Sequence, residues 1–268
     1  MIAVSLPIKQ GHMSTPQNNA SPGPEMEFGV PFPGVVLPAE RWSQTALKAL
    51  PDGYLDWPNL FGRTAPVTLD IGCGNGRSTI LAAMQESTGD FLGVDNLPLV
   101  IRYARKRGNQ RGLTNLKFAV IGGFPLLDRH IAPGSVSTIL CYHPQPYYDP
   151  RLVYRRLLTP LFFARVHRAL CPGGHFIVQT DNPGYWKYIL QVAPVFFDFV
   201  EHDGLWPDAP RGRTRREIVA MQRGLPIFRG QGTARTNLSE ADALALAEAL
   251  PPPRFDASRN LQDLDRLA

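Results

Sequence analysis

Three observations predict an α/β fold built on a parallel-rich sheet. From residue 67 onward, apolar runs of strand length alternate with helix-like segments, the pattern of strands joined by crossover helices. Gly72, Gly74 and Gly76 follow directly on the run Val67–Ile71, so the first strand ends in a sharp turn from which a helix starts. A late strand that follows two adjacent ones fits an antiparallel insertion at the sheet edge.

The first 27 residues hold too little apolar material to pack a core and read as disordered, part of a loose N-terminal extension reaching residue 40. Trp42, Ala46 and Ala49 stand at helical spacing and predict a helix over 41–50. After the glycine turn, Ile80, Leu81 and Met84 share a helix face, and Gly89 supplies a stop. A second strand over 91–94 ends at Asp95. Residues 97–107 predict an amphipathic helix, with Leu99, Val100 and Tyr103 toward the sheet and Arg102, Arg105 and Lys106 toward water. Strands follow over 116–120 and 136–142, the latter running into the loop HPQPYYDP. A helix over 157–170 ends at CPGG, a fifth strand covers 175–180, and Asp181 stands at its carboxyl end. A sixth strand over 196–200 and a seventh over 224–229 flank the loop-like RGRTRRE. Ser239 and Asp242 form a capping box for a helix over 239–250. The organisation expected is an extension over 1–40, a catalytic domain over 41–230 and a C-terminal extension over 231–268.

Glycines at the first turn let a nucleotide-like ligand approach the backbone, and an acidic residue ending the next strand accepts hydrogen bonds from ribose hydroxyls. The turn is GxGxG rather than GxGxxG, and Asp70 stands two residues before its first glycine. A pyrophosphate is repelled there. S-adenosyl-L-methionine carries a sulfonium and an ammonium instead, which suit an acidic turn. His143, Gln145, Tyr147 and Tyr148 occupy the loop where a doubly wound sheet places its ligands, beyond the carboxyl ends of its strands.

Composition bounds the rest. At 268 residues and 44% hydrophobic the chain can bury one sizeable core. Its net charge of +5 is carried largely by arginine, which suits phosphate contacts, although a charge of this size also occurs in proteins that touch no nucleic acid. Cys73, Cys141 and Cys171 have no paired or zinc-like spacing and read as free thiols, with no metal site expected. No run of 18 apolar residues occurs, and the expected location is cytoplasmic.

Several blocks, taken in order, resemble the tRNA (guanine-N(7)-)-methyltransferases over roughly residues 56–229. They are DWPNLFGRTAP, LDIGCGNG, FLGVD, PGSV, RRLLTPLFF, CPGG, QTDNPGYW, TRRE and GLPIFR. The resemblance implies a Rossmann-like class I methyltransferase sheet of seven strands with the last antiparallel, S-adenosyl-L-methionine as donor, and a guanosine of the tRNA variable loop as acceptor. It places Asp70, Gly72, Gly74 and Asp95 at the cofactor. Asp181, Thr214, Arg215, Arg216 and Glu217 fall at the substrate, with Arg155 and Arg156 as a basic pair nearby.

Three positions depart from the family pattern. The acidic residue expected after the third strand is replaced by glycine, at Gly122 or Gly123. The family's PDPW is here Pro144, Gln145, Pro146 and Tyr147, which puts Gln145 at the catalytic position and beside the cofactor. A lysine expected soon after falls near Asp149. A slower or redirected enzyme is the expectation. Two alternatives stay open: a methyltransferase acting on another base or a small molecule, and a non-catalytic subunit that binds RNA or a partner.

Overall fold

The computed structural model describes residues 24–255. A two-stranded ribbon, β1 (Met26–Glu27) and β2 (Val30–Pro31), precedes the sheet. The sheet holds seven strands: β3 (Val67–Ile71), β4 (Asp90–Asp95), β5 (Leu116–Val120), β6 (Val136–Tyr142), β7 (Leu170–Thr180), β8 (Phe197–Glu201) and β9 (Phe228–Ala234). Their order is β5-β4-β3-β6-β7-β9-β8, and only β9 runs antiparallel to its neighbours. The expected α/β sheet with its last strand antiparallel is therefore present. The chain winds outward from β3 to β5, then returns to lay β6 on the other side of β3. That reversal opens a crevice past the carboxyl ends of β3 and β6, where such sheets bind ligands.

Helices cover both faces. On one side, α2 (Arg77–Gln85) and α3 (Pro98–Gln110) bury Ile80, Ile101 and Ala104 against Phe91 and Phe118. On the other, α4 (Gly123–Arg129), α5 (Pro160–Ala169), α6 (Pro183–Phe196) and α8 (Glu240–Ala249) cover the larger core. Its centre is aromatic: Phe162, Phe163, Phe176, Phe196 and Phe197 meet at ring separations of 5.5 to 6.5 Å. Two more helices complete the set among the described residues, α1 (Trp57–Phe61) before the sheet and α7 (Arg215–Gln222) between β8 and β9.

Several expectations are corrected. Of the extension expected over 1–40, residues 1–23 lie outside the described residues, but 24–40 are tied down. Glu25 pairs with Arg107 at 2.8 Å and Arg111 at 3.1 Å, and the buried Phe32 carries the guanidiniums of both. No helix forms over 41–50. Thr45 and Leu47 bond the backbone of Phe118 at 2.7 and 2.9 Å, because edge strand β5 offers amide groups that an extended segment satisfies. In α3 the buried stripe is Ile101, Ala104 and Gly108, while Leu99 and Tyr103 are exposed and Arg105 bonds the Phe118 and Leu47 carbonyls.

The seventh strand is Phe228–Ala234, so the boundary expected at residue 230 falls inside it, and residues 224–227 are loop. Its pattern is hidden by Gly230 and Gly232, which carry no side chain because Phe199, Trp186 and Phe197 fill the space above them. A Cβ there would lie 2.4 and 2.6 Å from Phe199 and Phe197 respectively. The capped helix at Ser239 is present, and α8 packs on α5 rather than hanging free. Among the described residues, no helix is long and apolar enough to cross a membrane.

Candidate active site

Two cavities of about 130 and 240 Å³ open at the crevice between β3 and β6, and share Gly72, Tyr142 and His143. The smaller is walled by Asp70, Asn75, Arg77, Thr214, Arg215 and Arg216, the larger by Asp95, Gly122, Phe124, Gln145, Tyr147 and Arg155 among others.

The turn after β3 is built for a close ligand. Gly72 and Gly74 take φ of +80° and +53°, and a Cβ built on either meets nothing within 4 Å. Gly76 answers a different need, since its Cβ would lie 2.9 Å from both Ala104 and Phe118 where α2 crosses α3. At the end of β4, Asp95 accepts from the amides of Gly74 at 3.1 Å and Leu97 at 2.9 Å, which orients the carboxylate and leaves lone pairs for a ligand. Burial raises its pKa against those hydrogen bonds. Asp70 is 1% exposed and takes a 2.6 Å hydrogen bond from Thr79 Oγ1. Burial outweighs that bond and pushes its pKa up to about 6.

The acceptor side is less open than expected. Asp181 is 5% exposed and lines neither cavity. His143 and Arg216 stand between it and the crevice: His143 Nδ1 lies 3.0 Å from Oδ1, and Arg216 Nε and Nη2 donate to Oδ2 at 3.0 and 2.9 Å. Burial opposes the charge, but the His143 and Arg216 contacts overcome it and hold the carboxyl down at about 2. Thr214 caps α7 by accepting from the Glu217 amide, which sets Arg215 and Arg216 on the wall of the smaller cavity.

Two expected substrate residues do other work. Glu217 is 0% exposed, pairs with the buried Arg229 at 2.6 Å and accepts from the Arg213 amide at 2.7 Å, so it fastens α7 to β9. Arg156 is 4% exposed and donates to the carbonyls of Pro146, Tyr147, Pro253 and Phe255, with its guanidinium 3.7 Å from the Phe255 ring centre. It holds the loop after β6 against the end of the described chain. Arg155 is exposed at the rim of the larger cavity, and Gln145 is exposed on its wall.

Of the two glycines that replace the family's acidic residue, Gly122 has room for a side chain, its nearest neighbour being Pro125 Cδ at 3.5 Å. Gly123 has none, since Ile71 Cγ2 would lie 2.2 Å away. Of the two, only Gly122 could carry a larger side chain without displacing its neighbours.

The sequence left some members of the site unread. Arg213, which donates to the Tyr142 hydroxyl at 2.7 Å and lies 4.3 Å from the Trp206 ring centre, sat within an arginine-rich loop with nothing to single it out. Trp206 lies in no motif, and Gln179 opens the block QTDNPGYW, in which only Asp181 drew notice.

An open glycine turn, a carboxylate ending the second strand of the outward run, and a seven-stranded sheet with one antiparallel insertion define a class I, S-adenosyl-L-methionine-dependent methyltransferase. Residues 64–229 match a family model described as a putative methyltransferase. Among similar proteins, the tRNA (guanine-N(7)-)-methyltransferase of Methylococcus capsulatus is 34% identical over 184 residues, covering 67% of this chain and 78% of its own. That of Rubrobacter xylanophilus is 29% identical, covering 65% and 79%, and that of Halorhodospira halophila 28%, covering 81% and 88%. The chain belongs to the tRNA (guanine-N(7)-)-methyltransferase family.

Proposed function

We propose that this protein is a cytoplasmic enzyme that transfers a methyl group from S-adenosyl-L-methionine to N7 of a guanosine in tRNA. The observation that carries it is the pair of cavities meeting at Gly72, Tyr142 and His143, with the open glycine cradle and Asp95 beside them. Bound there, the cofactor supplies an electrophilic methyl group on a sulfonium. Asp95, with two oxygens already aimed by backbone amides, accepts from the ribose hydroxyls, and Gly122 lies on the same wall. Asp70 supplies negative charge on the smaller cavity.

Guanine N7 carries a lone pair and no hydrogen, so the protein need not remove a proton. What it must do is hold the base in line, and positioning of this kind is worth up to ~7–11 kcal/mol of barrier. Gln145 orients through hydrogen bonds where the family has a carboxylate. Asp181 acts through His143 and Arg216, which stand at the cavity in front of it. Arg155 and Arg215 are exposed on the cavity walls, Arg211 is exposed four residues before Arg215, and the three serve as phosphate contacts for tRNA.

The deciding experiment incubates the protein with labelled S-adenosyl-L-methionine and total tRNA lacking the modification, then digests the RNA. Label in 7-methylguanosine is expected. Gln145 in place of the family's carboxylate favours a second reading, another base or a small molecule as acceptor, and label in a different nucleoside or in none would select it.

A further inference from the structure

Both ring nitrogens of His143 are engaged inside the protein. Nδ1 faces Asp181 Oδ1 at 3.0 Å, and Nε2 lies 2.8 Å from Nε2 of Gln179. Trp206 decides which way the Gln179 amide points. An indole N–H can only donate, and it lies 2.6 Å from Gln179 Oε1, so the amide's NH₂ is the end turned to the imidazole. That group donates to Nε2, which must therefore offer a lone pair. The ring's single proton is then on Nδ1 and is given to Asp181, whose other oxygen is held by Arg216. Trp206, Gln179, His143 and Asp181 form a directed chain in which each member has one role. A second proton on the ring would oppose the N–H of Gln179 and break the chain.

We infer that the Trp206–Gln179 pair serves to keep His143 a neutral, Nδ1-protonated imidazole at the junction of the two cavities, so that the ring itself adds no positive charge where a cationic cofactor bridges them. The inference rests on the cofactor reading proposed above. His143 lines both cavities, so a ligand reaching from one into the other passes it. The charged groups facing it are Asp181 directly, Asp70, Arg77, Arg215 and the Asp181-bound Arg216 around the smaller cavity, and Asp95 and Arg155 around the larger. An imidazolium at this point would repel the sulfonium, and also a purine that gains positive charge on methylation; at close range in a partly dry site such repulsion is strong. With both nitrogens occupied, His143 offers a ligand only carbon and π surface. Its backbone is held for this as well: φ is +50°, and its amide donates to the Gln179 carbonyl at 2.7 Å. Gln179 and Trp206, which line neither cavity, are positioning residues.

The test reads the ring directly. In protein carrying ¹⁵N-histidine, with the His143 signal assigned by His143→Asn, the shifts at neutral pH should be those of the Nδ1–H tautomer. An imidazolium or an Nε2–H ring overturns the inference. Gln179→Glu keeps the acceptor for Trp206 and turns the other end from donor to acceptor. The expected result is an imidazolium signature, with S-adenosyl-L-methionine affinity about tenfold lower while affinity for the uncharged thioether S-adenosylhomocysteine stays within about twofold. A purely structural role would lower both alike. A ring that stays neutral, or an imidazolium with an unchanged affinity ratio, refutes the account. Trp206→Phe keeps the test open should a buried carboxylate prevent folding: a mixture of tautomers is expected, and a single Nδ1–H form counts against Trp206 as the orienting group. If the wild type binds neither ligand, the cofactor reading itself fails, and the tautomer measurement still stands by itself.

Discussion

Replacing Glu217 separates a structural role from a substrate-binding one. The carboxylate has no exposed surface, one oxygen lies 2.6 Å from Arg229 Nη2, and the other accepts from the Arg213 amide at 2.7 Å. In Glu217→Ala the Arg229 guanidinium, 4% exposed on its side chain, keeps only a 3.2 Å bond to the Ile227 carbonyl, and the Arg213 amide loses its partner. A buried charge left in this state costs about 3–5 kcal/mol. For a chain of this size that is a fall in melting temperature on the order of 10 °C, read by thermal or urea unfolding. The double variant Glu217→Leu with Arg229→Met removes both charges and should recover most of the loss, since well-packed apolar pairs replace buried ion pairs at little cost. Glu217→Ala with unchanged stability and a tenfold or greater loss of tRNA affinity would refute this reasoning and return Glu217 to the substrate.

Further outcomes follow from the site. Gly122→Asp places a carboxylate where a Cβ has room, and one charge-assisted hydrogen bond is worth about 1.5–3 kcal/mol, so cofactor affinity by calorimetry should rise at least tenfold. Gly123→Ala, driven into Ile71, should instead lose ~1–3 kcal/mol of stability. Burial raises the Asp70 pKa to about 6 in the folded protein, so the ionised form is disfavoured by folding: the stability it contributes is full below its unfolded pKa near 4 and lost as pH rises through about 6. Asp70→Asn should therefore be more stable than wild type by about 2–3 kcal/mol at pH 7 while binding cofactor more weakly, and equal stability at pH 7 and pH 4 relative to wild type would contradict this. Gln145→Asp and Gln145→Glu, compared at saturating tRNA, should speed single-turnover transfer by roughly fivefold to a hundredfold, and no gain in either means the loop is rebuilt around glutamine. Arg155→Ala should flatten the salt dependence of tRNA affinity by about one unit of slope, and a salt-independent affinity would argue against an RNA partner.

The first four strands of the sheet were legible because local rules and tertiary structure agree there. Val67–Ile71, the glycine turn, Asp95 and the strands at Leu116 and Val136 all announce themselves by composition and spacing, and each is present. What was missed has a common cause, in that the information lies in a partner far along the chain. Residues 41–50 carry helical spacing, yet the open edge of β5 takes them as an extended segment. Strand β9 looks poor in apolar residues because rings from β8 and α6 occupy its side-chain space. Glu217 sits in a motif-like TRRE next to two cavity-lining arginines, and only the position of Arg229 turns it inward. Asp181 stood at a strand end as expected, but the His143 and Arg216 that cover it come from different elements.

The loop after β6 is held in one shape by its surroundings. Two of its non-glycine residues, His143 and Tyr147, hold φ of +50° and +43°, a conformation that costs ~1–3 kcal/mol at each and persists only where surroundings over-determine it. Those surroundings are present at both ends. His143 is fixed through its backbone amide and both ring nitrogens, and Tyr147 through its carbonyl, which accepts from the buried Arg156 together with that of Pro146. Pro144 and Pro146 stiffen the span between, on which Gln145 is displayed. A side chain carried on so constrained a backbone loses little freedom when a base arrives, and N7 attack asks for placement rather than proton removal. On the function proposed above, charge at residue 145 adjusts the rate, whereas Arg156 and the His143 contacts determine whether the loop has one shape at all. Arg156→Lys, which preserves charge but cannot reach four carbonyls from one planar group, should thus slow transfer more than Gln145→Ala does. The reverse order in single-turnover rates would show that the side chain at 145, and not the rigidity of its loop, carries the catalysis.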